Sequence, residues 1–171
     1  MNIAILGGSF DPPHNGHLFV AKQMLKNKNC DKVILMPVFK HPFGKLLTDP
    51  EHRLAMTRLL EDKNIEVSDF EIKRKKISYS IDTLNALKKL APHDDFVWVI
   101  GKDQIGDFEK WKNWREIKEE FGLIVVPRTP IDVSSSEIRK RINPPDGGRK
   151  SISGMVPEKI ESYIIHHKLY L

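Results

Sequence analysis

The chain has 171 residues, enough for one domain with a sizeable core, and its 40% hydrophobic and 30% charged residues are ordinary for a globular protein. No apolar run approaches the roughly 18 residues of a membrane span, and "MNIAILGG" lacks a signal peptide's basic n-region, so the expected location is cytoplasmic with no membrane partner. A single cysteine, Cys30, rules out an internal disulfide and a cysteine-pair zinc site, while a net charge of +5 suits a polyanionic partner.

The predicted elements alternate along the chain. "NIAIL" (2–6) reads as a buried strand and "GHLFVAKQMLKN" (16–27) as a helix. "KVILMP" (32–37) is a second buried strand, followed after a loop by the helical spacing of "DPEHRLAMTRLLED" (49–62). "IEVSDF" (65–70) is a third strand, and the basic run Lys73 to Lys76 reads as a solvated surface beside it. "SIDTLNALKKLA" (80–91) is an amphipathic helix with Ile81, Leu84, Leu87 and Leu90 on one stripe. "FVWVIG" (96–101) and "LIVVP" (123–127) are strands four and five, with "WREIKEEF" (114–121) a helix between them. "SSEIRKRI" (135–142) and "PEKIESYIIHH" (157–167) are the last helices, separated by the linker-like "NPPDGGRKS" (143–151).

Short continuous apolar strands between amphipathic helices indicate an α/β fold. The expectation is one Rossmann-like, doubly wound domain over residues 1–171, with a mainly parallel sheet of five to six strands and a C-terminal helical segment, 134–171. Ligands of such sheets bind beyond the carboxyl ends of the strands, where strand order reverses.

Three stretches carry chemistry. In "GGSFDPPHNGH" (7–17), Gly7 and Gly8 allow a tight turn and close approach of a ligand, and Pro12 and Pro13 stiffen the loop. Asn15 is placed to cap the next helix, and Gly16 leaves its first amides open to a phosphate. His14 and His17, three apart, can face one way and donate to one phosphate group. The pattern is not a Walker A loop, a G-x-G-x-x-G turn or an H-E-x-x-H zinc helix. A rigid loop with satisfied surface histidines is the plain alternative.

In "VSSSEIRKR" (133–141), Ser134 and Glu137 fit a capping box, and a helix from Ser135 would offer amides, hydroxyls and Arg139 to a phosphate. A well-capped basic helix is the simpler reading. In "VIGKDQIGDFEKWKNW" (99–114), Asp103 follows a strand-ending Gly101, where a carboxylate can accept from ribose hydroxyls. Trp111 there is either a stacking platform or an anchor for its loop.

Together these residues resemble the H-x-G-H nucleotidyltransferases, the signature being His14-Asn15-Gly16-His17. More narrowly, "GGSFDPPHNGHL", "ISYSIDTL" (77–84), "IGKDQIGDFEKWKNWREI" (100–117), "VSSSEIR" (133–139) and "VPEKIESYIIHHKLYL" (156–171) are similar to bacterial nicotinate-nucleotide adenylyltransferases. The resemblance implies adenylyl transfer from ATP to nicotinate mononucleotide, or to nicotinamide mononucleotide, with release of pyrophosphate. It implies His14, His17 and Arg139 as the catalytic set. It places ATP on Gly7, Gly8, Ser9, Phe10, His14, Gly16, His17, Gly101, Asp103, Ser134, Ser135, Ser136 and Arg139. The acceptor would meet Ser80, Trp111 and a lysine, Lys45 ahead of Lys40, with His41 a third choice. Mg2+ would travel with ATP rather than on a protein cage.

The sequence departs from the family in places. "VFKHPFGK" replaces the common P-P-H-K, Lys102 stands where a small residue is usual, and the 129–133 segment is short. Another phosphorylated acceptor, such as phosphopantetheine, and a non-catalytic nucleotide- or RNA-binding module are the alternatives. Nucleic acid is not the expected partner, because the basic run lacks interleaved aromatics. Homo-oligomerisation is left open.

Overall fold

The first strand, β1 (Asn2–Gly8), alternates between two cores: Ile3 and Ile5 enter one, Ala4 and Leu6 the other. A strand buried on both faces reads as a continuous apolar run, which is why "NIAIL" stands out. The computed structural model describes residues 1–127, 131 and 133–171, so the short 129–133 segment falls largely outside the described residues.

Chain order is β1, α1 (Asn15–Lys26), β2 (Lys32–Pro37), α2 (Pro50–Arg58), β3 (Ile65–Val67), α3 (Phe70–Arg74), α4 (Ser80–Leu90) and β4 (Asp95–Gly101). A 3₁₀ segment (Lys102–Lys110) follows, then α5 (Trp114–Glu116) running into a π-helical turn (Ile117–Phe121). β5 (Leu123–Val126), α6 (Ser135–Ile142) and α7 (Glu158–His166) complete the chain. The sheet has five strands, all parallel, in the order β3-β2-β1-β4-β5.

Helices cover both faces. Ala21 and Met24 of α1, Met56 of α2, Ile138 and Ile142 of α6, and Ile160 and Ile164 of α7 pack with Ala4, Leu6, Val33 and Leu35. On the other face, Ile81 and Leu84 of α4, Phe108 and Ile117 pack with Ile3, Ile5, Trp98 and Ile100.

Several expectations are corrected. The third strand stops at Val67, because Phe70 opens α3, so the basic run lies in and after a short helix rather than beside a strand. Lys75 ends that helix in the left-handed region, φ 51°. The helix expected over 49–62 stops at Arg58, and the one over 114–121 is α-helical for only three residues before widening. Leu90 does not join its stripe in the core, being 71% exposed at the last turn of α4.

Candidate active site

Strand order reverses between β1 and β4, and both strands end in glycine, at Gly8 and Gly101. This is the switch point at which a parallel sheet leaves a crevice outside its carboxyl edge. Gly7 is required there by packing: a Cβ would lie 2.3 Å from Cζ2 of Trp98. The Trp98 indole sits under Gly7 and meets Trp111 edge-on, ring centres 6.4 Å apart.

Beyond Gly8 the chain turns through Phe10, whose φ of 49° is rare for a bulky residue. Its ring is buried, 4.7 Å from that of His17. Phe10 therefore supports a histidine, and only its backbone is left to meet a ligand.

The N-cap of α1 is His14, which corrects the expected cap at Asn15. The His14 Nδ1 accepts from the Gly16 N–H at 3.2 Å, and the His17 Nδ1 accepts from the His14 N–H at 3.2 Å. Two imidazoles thus perform the reciprocal capping that a serine and a glutamate usually share. Both hydrogen bonds use Nδ1 as acceptor, which leaves the ring proton on Nε2. The rings lie 3.8 Å apart, and burial lowers the His14 pKa to about 4. Burial, with His14 alongside, pushes His17 well below the ordinary histidine range. The site therefore presents two neutral N–H donors.

Gly16 serves this cap more than an open phosphate path. A Cβ there would stand 3.0 Å from the His14 ring and 3.3 Å from Cγ1 of Val133. Asn15 ties the helix start to the C-terminal region, its N–H reaching the Met155 carbonyl at 3.0 Å and its side-chain amide the Gly154 carbonyl at 2.8 Å.

The start of α6 closes on the same loop. Ser134 caps it, Oγ accepting from the Glu137 N–H at 3.1 Å, while the Glu137 carboxylate turns instead to Arg141 at 3.0 Å. The capping box is therefore one-sided. Ser135 Oγ donates to the Pro12 carbonyl at 2.8 Å, and Arg139 donates to the Asp11 carbonyl and to Ser136 Oγ. The sequence-predicted His14, His17, Ser134 to Ser136 and Arg139 thus meet at one place.

Two residues at this place escaped the motif reading. Arg53, fully buried in α2, donates to the carbonyls of Thr48 (2.8 Å), Ser9 (2.9 Å), Val38 (2.7 Å) and Phe39 (3.1 Å). Buried Asp11 accepts from the Thr48 N–H at 3.0 Å and from the Tyr170 hydroxyl at 2.8 Å. One signal was available for Arg53: with Met56, Thr57 and Leu60 it keeps the i, i+3, i+4, i+7 spacing of a buried stripe.

Of the residues expected to meet an acceptor, Lys40 is brought to the segment that leads into Ser80. Lys40 pairs with Ile77 in a parallel bridge, the Ser78 N–H donates to the Lys40 carbonyl at 3.1 Å, and the Phe39 N–H donates to Ser78 Oγ at 3.1 Å. The loop after β2 is thereby fastened to the start of α4, where Ser80 is the first helical residue. Lys45 lies farther along that loop, exposed; burial, and then the Lys45 charge, hold His41 below the ordinary range. Buried Glu71 of α3 accepts from Thr83 Oγ1 at 2.6 Å, and burial raises its pKa.

Lys112 reaches Asp82 of α4 at 2.8 Å and lies over the Tyr79 ring, joining the tryptophan segment to α4. Trp111 is half-buried, T-shaped against Trp98 and tilted against Phe108, so it is both anchored and partly open. Asp103 is exposed in the first turn after β4, with Lys102 beside it.

The cytidylyltransferase-like family pattern matches residues 5–141. A probable nicotinate-nucleotide adenylyltransferase of Methylacidiphilum infernorum is 34% identical over 99% of this chain and 92% of its own length. One of Borrelia hermsii is 34% identical over 100% and 98%. The fold matches that of a nicotinic acid mononucleotide adenylyltransferase of Plasmodium falciparum solved with NaAD, with a TM-score of 0.80 and 24% identity over 99% of this chain and 97% of that one. With its H-x-G-H histidines on a helix cap at the switch point of the sheet, the chain belongs to the cytidylyltransferase-like family and, within it, to the nicotinate-nucleotide adenylyltransferases.

Proposed function

We propose that this chain joins ATP to nicotinate mononucleotide at the β1–β4 switch point, forming nicotinate adenine dinucleotide and pyrophosphate for NAD biosynthesis. The acceptor's phosphate oxygen forms a bond to the α-phosphorus. The bond from that phosphorus to its α,β-bridging oxygen breaks, and the electron pair leaves with pyrophosphate. A phosphate monoester with a second pKa of about 6 is already mostly ionised at neutral pH, so no general base is required. The protein's work is alignment and charge stabilisation.

The observation that carries this reading is the reciprocal His14–His17 cap, which puts the proton of each ring on Nε2. Neutral donors can hydrogen-bond the reacting phosphate as its charge moves, without a proton to give up. Ser134 to Ser136 and Arg139 would hold the triphosphate, with Arg139 exchanging its carbonyl partner for phosphate oxygens. Gly101 and Asp103 would meet the adenosine ribose. Among the described residues no group of three or more His, Cys, Asp or Glu could hold a metal ion, and Mg2+ enters with the triphosphate as part of the substrate.

Trp111 would stack on the pyridine ring. The first-turn amides of α4 suit the ring carboxylate, because Tyr79 at the cap supplies no side-chain acceptor for them. Lys45 and Lys40 are the candidate cations for the acceptor phosphate. Nicotinate mononucleotide is therefore expected to exceed nicotinamide mononucleotide in kcat/KM by at least about tenfold. Pyrophosphate release with each, under MgATP, measures this. Turnover with neither would refute the assignment, and equal turnover would refute the carboxylate site. In His17→Ala, kcat is expected to fall by roughly 10²–10³ while circular dichroism is unchanged.

A further inference from the structure

Transfer requires the loop after β1, which carries His14, to hold a set position relative to the loop after β2, which carries Lys40 and Lys45. One buried side chain joins the two loops. Nη1 of Arg53 alone donates to Ser9 on the first loop and Val38 on the second, Nη2 adds Phe39, and Nε adds Thr48. A guanidinium in a core is costly unless its N–H groups are satisfied. All four acceptors here are loop carbonyls at the functional edge of the sheet. An ammonium, a point charge, could not span them in one plane.

Asp11 braces this arrangement. Its carboxylate takes the Thr48 N–H on one oxygen and the Tyr170 hydroxyl on the other, and its own carbonyl receives Arg139. Tyr170, next to last in the sequence and in the left-handed region at φ 65°, turns back to reach a residue three positions before His14.

We propose that Arg53 is a positioning residue for adenylyl transfer: it clamps the histidine loop to the acceptor loop, and Asp11 and Tyr170 brace the clamp. This rests on the adenylyl-transfer reading of the two loops.

Arg53→Lys keeps the charge and loses the fork. It is expected to lower kcat about 100-fold, the scale of a 1 Å misplacement, while the Kd of ATP and of nicotinate mononucleotide, each titrated alone, change less than about threefold. Amide hydrogen exchange should rise together in 9–13 and 38–42, with β1 as protected as in the parent. Parent-like kcat in the folded variant, a loss confined to the KM of one substrate, or faster exchange in one loop only would overturn the proposal. If Arg53→Lys does not fold, Tyr170→Phe decides. Loss of one hydroxyl is expected to lower kcat about tenfold at unchanged KM, and parent kcat would overturn the brace and the clamp with it. The parent protein is assayed first. If it releases no pyrophosphate with either mononucleotide, the transfer reading fails, and paired exchange of the two loops still decides the clamp.

Discussion

At the scale of single residues, the two histidines make stability depend on pH. An unfolded histidine titrates near 6.5, whereas His14 in the fold titrates at about 4. Between those values the unfolded chain binds the proton and the folded chain does not. The His14 contribution to stability is therefore full above pH 6.5 and is lost as pH falls toward 4, by an amount on the order of 3 kcal/mol. Thermal melts between pH 7.5 and 4.5 should show Tm falling. The slope should be shallower in His14→Asn, which keeps a cap acceptor without the titration; an equal slope would assign the effect elsewhere. Gly7 gives a second prediction. Its Cβ contact with Trp98 makes Gly7→Ala an overpacking substitution, expected to cost about 1–3 kcal/mol in urea denaturation.

At the scale of elements, each helix start on the functional edge has its own chemistry. α1 is capped by imidazoles, α6 by a serine, and α4 by no side chain. Ser134→Ala removes one acceptor and is expected to cost about 1 kcal/mol of stability, read from chemical denaturation. If Ser134 also binds the triphosphate, the KM for ATP rises in the same variant. Trp111 belongs to the 3₁₀ segment's end rather than to a regular helix, which is how one indole can pack edge-on and stay half-open. Trp111→Ala should raise the acceptor's KM roughly 10- to 100-fold and leave that of ATP unchanged, if stacking matches that measured for bases.

At the scale of the whole molecule, residues far apart in sequence close the site. α7 and the residues after it contribute Ile160, Ile164 and Leu169 to one core and Tyr170 to the loop after β1. Removing residues 157–171 would expose that core face and unbrace Asp11. The expected outcome is an aggregating or molten chain, visible as lost near-ultraviolet dichroism. No helix among the described residues is long and apolar enough to cross a membrane.

Much of this molecule was legible in one dimension. Continuous apolar strands and amphipathic spacing determined the layered α/β class, because periodicity is a local property. His14, His17, Ser134 and Arg139 stood out because a helix start and its cap span a few residues. What only the tertiary structure decided lies between segments. Gly7 answers to Trp98, Gly16 to the His14 ring, and the histidines' capping roles depended on which nitrogen met which amide. Arg53 drew no notice in the sequence, and its role shows only where four carbonyls from two loops converge on it. Backbone carbonyls carry no sequence label, so an interaction made with them can be seen only once the chain has folded.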